Sequence, residues 1–237
     1  MRNESNRNGK EFLSKKKNFI FDLDGTLIDS MWVWDNLLVD FLNRHNYETP
    51  PELLKEVAYM SLEQSSKRVC ELFELPMSPK DVNREWTEMI YDGYAKEIKT
   101  KPGAAEYLEN LKREGKTVAL ATANSKELTE ACLKNNGIME YFDVLTFADE
   151  VGEGKSSPLI YTETLLRVNG VPDESVLFED ILQAYKTAKM IPLDVVIVED
   201  RSAEGDKSDL MKSADLYIKD FYDLTLHQIL RKKRGRK

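Results

Sequence analysis

Short apolar runs alternate with amphipathic stretches along most of the chain. Phe19-Ile20-Phe21 is the first run, and others lie at Thr117 to Thr122, Asp143 to Thr146, Ser175 to Glu179 and Asp194 to Glu199. Runs of this length and apolar content read as buried strands, and the helical stretches between them predict parallel neighbours joined by crossover helices. The expected fold is therefore α/β, a Rossmann-like doubly wound parallel sheet.

The first connection breaks the rhythm. More than ninety residues separate Asp22 from Thr117, where a strand-helix-strand unit needs far fewer. The excess reads as helix. Trp32 to Arg44 is amphipathic, Ser61-Leu62-Glu63-Gln64 fits a capping box, and Ser78-Pro79 is an N-cap followed by proline in the first turn. These signals predict an α-helical cap over residues 31–100, inserted into a core formed by residues 1–30 and 101–237. Lys101-Pro102-Gly103 returns the chain to the core, and both crossings are expected hinges. Trp32 and Trp34 on the first cap helix suit either the cleft or the interior of the cap.

With 237 residues, 41% of them hydrophobic, the chain can bury a full core. No apolar run approaches the ~20 residues that span a bilayer, and Met1 to Lys17 is charged throughout, so a cytoplasmic protein with no membrane partner is expected. Cys70 and Cys132 lack metal-ligand spacing and read as reduced thiols. The formal net charge is −8, and since Arg231 to Lys237 carries +6, the remainder carries −14. Nucleic acid is thus not expected as a partner of the folded body, and the basic tail reads as a frayed end.

Chemistry enters at the end of the first strand. Asp22 and Asp24 emerge there two residues apart, and Gly25 ends the run. Two such charges ~4 Å apart repel by about 4 kcal/mol at an effective dielectric near 20, so the pair calls for a cation or a proton. A plain turn explains an isolated Asp-Leu-Asp-Gly equally well, and what decides is the rest of the chain. Thr122, followed by Ala123, ends the second run; Lys155 lies in Gly154-Lys155-Ser156-Ser157-Pro158 just before a helix start; Glu179-Asp180 ends another run. Taken singly these are a strand residue, a loop charge and a capping turn. Their order at successive strand ends makes a phosphate site.

That order and its spacings resemble the haloacid dehalogenase superfamily of phosphotransferases from Asn18 to Ile218, most strongly in Asp22 to Ser30. The resemblance implies that Asp22 is the nucleophile and Asp24 the general acid and base. It implies that Thr122, Ala123 and Lys155 bind phosphate, and that Asp22, Asp24, Glu179 and Asp180 surround Mg2+. Where the family often carries a small residue and a glycine after its acidic pair, Ile181 and Ala184 stand here. An insertion in the first connection is similar to the branch of β-phosphoglucomutase-like and phosphoglycolate phosphatase-like proteins, whose helical lid closes over the site. Such a lid implies a small phosphorylated metabolite as substrate.

Elementary electrostatics agrees. Four acids facing a phosphate of about −2 exceed what Lys155 neutralises, and hard oxygen ligands favour magnesium. The expected function is magnesium-dependent hydrolysis of a small soluble phosphomonoester through an aspartyl phosphate. Two alternatives stay open: a sugar phosphomutase of the same fold, and a catalytically silent phosphometabolite-binding protein. A mutase is expected to carry a cap histidine twelve residues after the nucleophile, where Trp34 stands, and the chain has only His45 and His227. A second ambiguity concerns the metal acid. Val195 to Asp200 mimics the Glu179-Asp180 strand, and Asp180 is preferred because one helix separates it from Lys155.

Overall fold

In the computed structural model, which describes residues 11–57 and 60–224, six parallel strands form one sheet. β1 (Asn18–Phe21) lies between β2 (Thr117–Thr122), which pairs onward with β3 (Val144–Phe147), and β4 (Ser175–Glu179), followed by β5 (Asp194–Val198) and β6 (Leu216–Ile218). The doubly wound α/β expectation matches this order. Phe21 sits opposite Leu120 on one side and Phe178 on the other.

Strand alternation sorts the core into two layers. Phe19, Phe21, Val118, Leu120 and Phe178 share one cluster, whereas Ile20, Ala119, Ala121, Leu177 and Val195 belong to another. On the first face Phe21 stacks on Phe178 with centroids 4.5 Å apart, and Tyr107 and Phe221 close around Phe178. The second face is covered by Ile160, Tyr161 and Leu165. Both faces are buried, which is why these strands read as unbroken apolar runs.

Between β1 and β2 the chain builds α1 (Met31–Arg44), α2 (Pro51–Val57), α3 (Leu62–Phe73) and α4 (Pro79–Asp92), then a π-helical turn (Gly93–Glu97) and α5 (Ala104–Arg113). The two capping signals are real: Ser61 and Gln64 satisfy each other's backbone N–H groups, as do Ser78 and Asp81 ahead of Pro79. Each such cap contributes about 1 kcal/mol. The remaining helices are α6 (Lys126–Asn135), α7 (Ala148–Val151), α8 (Leu159–Arg167), α9 (Leu182–Ala188) and α10 (Lys207–Ser213).

The two crossings into and out of the helical insertion are zipped together. Asp29 donates its N–H to the Lys99 carbonyl at 3.0 Å, Lys101 donates to the Leu27 carbonyl at 2.8 Å, and Ile28 bridges Thr100. Lys101 then anchors the returning chain in the core, donating to the Glu199 carbonyl at 2.7 Å and pairing with Asp200 at 2.8 Å.

Some details depart from the sequence pattern. β3 starts at Val144 because the Asp143 carboxylate accepts from Lys112 and from the Val118 N–H. β5 stops before Glu199, whose side chain reaches Lys207 and Tyr217. The π turn and β6 carry no signal that pattern reading found. Cys70 and Cys132 are free thiols. No helix among the described residues is long and apolar enough to cross a membrane. The basic run Arg231 to Lys237 and His227 lie outside the described residues.

Candidate active site

The carboxyl ends of β1, β2 and β4 meet where the strand order reverses about β1, the place where open α/β sheets form a crevice. Asp22 follows β1 directly, and its N–H extends the ladder to the Phe178 carbonyl at 3.0 Å. Its side chain is buried. Next comes a tight turn through Gly25, at φ 76°, a conformation that suits glycine. A Cβ on Gly25 would collide with the Asp180 carboxylate. Thr26, one residue on, donates its hydroxyl to Asp180 Oδ1 at 3.0 Å.

Lys155 enters from the segment between α7 and α8 and clamps two acids, with Nζ 2.5 Å from Asp22 Oδ1 and 2.6 Å from Glu179 Oε1. Tyr161 donates to the same Glu179 oxygen at 3.0 Å. Asp22, Glu179 and Asp180 each offer an oxygen within 4.8 Å of the others, and all three are buried. One ammonium faces three carboxyls. Burial pushes Asp22 well above the usual carboxylate range; Glu179, Asp180 and Asp24 push the same way, and Lys155 opposes them. Asp180 is pushed up to about 7, by burial and then by Glu179. Burial pulls Lys155 downward, but the attraction of Asp22, Glu179 and Asp180 prevails and holds it above the ordinary lysine range. The excess of buried negative charge and the all-oxygen donor set fit a hard divalent cation.

The Asp24 carboxylate, expected among the metal ligands, lies outside this group of three. Its Oδ1 accepts from Ser30 at 2.6 Å, from the Tyr94 hydroxyl and from Trp34 Nε1 at 3.4 Å, while Oδ2 accepts from Asn124 Nδ2 at 2.8 Å. Trp34 also donates to Tyr94 at 2.8 Å. The turn after β1 swings Asp24 away from that group, and it is held by Trp34 and Tyr94 of the helical insertion together with Ser30 and Asn124 of the core. Asp22 and Asp24 thus lie two residues apart in sequence but in different hydrogen-bond networks.

Thr122 is buried at the end of β2, and its Oγ1 accepts the Asn124 N–H at 3.0 Å. Thr122, Ala123 and Lys155 line the same cleft of about 350 Å³ as Asp22, Asp24 and Asp180. Ile181 and Trp34 also border it. Trp32 instead donates to the Asp29 carbonyl and lines a separate groove on α1. Asp200, the alternative metal acid, is held by Lys101 and caps the 3-10 turn that follows by accepting from Ser202.

Sequence reading missed Ser30, Tyr94, Asn124 and Tyr161. Ser30 and Asn124 stand inside or beside the motif segments, so their polarity was a usable signal. Tyr94 and Tyr161 had none, since aromatic residues in helical stretches usually fill a core.

A buried aspartate at the tip of the central parallel strand, with a lysine-clamped acidic group and a hydroxyl on adjoining strand tips, defines a doubly wound α/β protein whose chemistry gathers at the strand ends. The family model of the haloacid dehalogenase-like hydrolases matches residues 19–198, and the chain belongs to that family. It is 29% identical over 211 residues to a bifunctional riboflavin kinase/FMN phosphatase of Arabidopsis thaliana, covering 88% of this chain and 54% of that protein. The chain therefore spans about half the length of that relative. A phosphorylated carbohydrates phosphatase of Thermotoga maritima is 28% identical over 170 residues, 72% of this chain and 79% of that one. In fold, the chain is similar to CbbY from Rhodobacter sphaeroides in complex with phosphate, with TM-score 0.75 and 24% identity over 88% of this chain and 96% of that one.

Proposed function

We propose that this hydrolase is a magnesium-dependent phosphatase that cleaves a small soluble phosphomonoester through an aspartyl phosphate. The observation that carries the reading is Lys155 bridging Asp22 and Glu179 in a buried acidic group beside Thr122. Two of the relatives are named as phosphatases of phosphorylated small molecules.

Asp22 attacks phosphorus in line and takes the phosphoryl group, and the ester oxygen departs with a proton from Asp24. Asp24 then accepts a proton from the water that attacks the aspartyl phosphate, which restores both carboxyls and releases inorganic phosphate. The Thr122 hydroxyl, the Ala123 amide and Lys155 hold the nonbridging oxygens. Asp22, Glu179 and Asp180 are the residues that would hold Mg2+, which supplies neutralising charge for the phosphoryl oxygens. The insertion α1 to α4 acts as the cap, and the zipped crossings at Ile28 and Thr100 are its hinge.

Phosphate release from p-nitrophenyl phosphate, measured with Mg2+ and with EDTA, tests the reading. Turnover that depends on Mg2+ is the expected result. A protein that binds phosphorylated metabolites yet releases no phosphate would be a silent binding protein.

A further inference from the structure

The cleft joins two chemically unlike halves. The half supplied by the strand tips is polar and charged. The wall supplied by the insertion is apolar, with Leu37 from α1, Leu54 and Val57 from α2, Leu62 from α3 and Trp86 from α4. Among the described residues of that wall, Ser65 on α3 adds a hydroxyl, and the indole N–H of Trp86 is buried without a hydrogen-bond partner.

Trp34 and Asn124, the polar side chains beside Asp24 at the cleft, are already bound within the protein. Trp34 donates its N–H to Tyr94 and Asp24. Asn124 donates to Asp24 and accepts from the Ser125 N–H. Lys155 is the one cation among the described residues that line the cleft, and it is held between Asp22 and Glu179.

Resting on the phosphatase reading, we infer that the substrate carries a single phosphate on an uncharged, largely apolar alcohol, and that the α1 to α4 wall selects it. A carboxylate or second phosphate on the alcohol would leave water for a wall whose described residues carry no countercharge. The hydroxyls of a sugar would lose their water partners and meet Leu37, Leu54 and Val57. An alkyl or aryl body loses nothing by the transfer and gains apolar contact. The cleft volume of about 350 Å³ suits a compact body of that kind. Ser65 supplies a hydroxyl for one polar atom on it.

The test compares esters of primary alcohols, so that the departing oxygen is chemically matched. Purified full-length protein with Mg2+ is assayed on hexyl phosphate, glucose 6-phosphate and 6-phosphonooxyhexanoate, with p-nitrophenyl phosphate as reference. Hexyl phosphate should exceed both others in kcat/KM by at least about tenfold. Leu54 is half-exposed at the cleft, so Leu54→Lys adds a cation with little burden on the fold. That change should shift the ratio toward 6-phosphonooxyhexanoate by about tenfold relative to hexyl phosphate. Equal or faster turnover of glucose 6-phosphate or 6-phosphonooxyhexanoate by the wild type overturns the inference while the phosphatase reading stands. No release from any ester, p-nitrophenyl phosphate included, overturns both.

Discussion

Asp22 and Asp24 stand in different surroundings. Asp22 faces Lys155 and two further acids, whereas Asp24 is held by Ser30, Tyr94, Trp34 and Asn124. Asp22→Asn should therefore lower kcat by roughly four orders of magnitude or more with every ester, with the circular dichroism spectrum unchanged. Asp24→Asn should still let p-nitrophenyl phosphate phosphorylate Asp22 slowly, because that leaving group needs no acid; intact-mass spectrometry would detect the added phosphoryl group. Gly25→Ala places a methyl against the Asp180 carboxylate in a strained conformation. Its kcat should fall about a hundredfold, and activity equal to wild type would contradict the close approach. Asp180 also sets a pH dependence of stability. Its folded value of about 7 lies above the ordinary 3.8, so between those limits the Asp180 carboxyl holds its proton more in the metal-free folded chain than in the unfolded one. Stability is then greatest at the acidic end and falls as pH rises toward 7. In EDTA, Tm should drop on the order of 5 °C across that window. Mg2+ should raise Tm more at about pH 8 than at about pH 5, because protons and cation compete for the same carboxyls; a Tm independent of both would count against the site.

At the scale of elements, backbone hydrogen bonds and a buried ion pair supplement the shared apolar cluster that joins the helical insertion to the sheet. The backbone bonds from Asp29 and Lys101 hold the crossings side by side, and the buried pair Lys101–Asp200 ties the return segment to the end of β5. Burial opposes the charge on Asp200, but Lys101 and Ser202 hold its carboxyl below the usual range. Lys101→Met would leave Asp200 as an unpaired buried charge, at a cost of about 3 to 5 kcal/mol. Urea denaturation should report that loss, and Asp200→Asn in the Lys101→Met background should recover part of it. A free-energy change near zero in the single variant would mean that Asp200 finds water when its partner is removed. The π turn that follows α4 places Tyr94 on Asp24, where it joins Trp34 from α1, so two elements of the insertion reach that carboxylate.

Considered as a whole molecule, hydrolysis is favoured over phosphoryl transfer to a second sugar by what surrounds Asp24. Trp34 stands where a mutase would place an imidazole, and its indole donates to Asp24 but does not accept a proton. His45 is engaged with Glu85 instead. Given β-glucose 1-phosphate and a bisphosphate primer, the protein should form no appreciable glucose 6-phosphate, and any phosphoryl group it removes should appear as inorganic phosphate. A coupled glucose 6-phosphate dehydrogenase assay, with phosphate measured in parallel, distinguishes the outcomes; robust glucose 6-phosphate formation would reverse the assignment.

The chain sequence by itself determined the sheet and the order of its chemical groups. Each strand is a local apolar run, and each of Asp22, Thr122 and Glu179-Asp180 sits at the end of one, so alternation and position were readable without knowing what lay across the cleft. Capping of α3 and α4 was readable for the same reason, since the partners are three residues apart. Only the tertiary structure decided which acids share a space. Asp180 and Asp200 follow similar strands, and what separates them is Lys101, ninety-eight residues from Glu199, whose carbonyl accepts from it. Spacing alone puts Asp24 beside Asp22, yet its partners Tyr94 and Asn124 come from seventy and one hundred residues away. Sequence spacing constrains only groups joined by a few stiff bonds. The neighbours of a loop carboxylate are chosen by how distant elements pack.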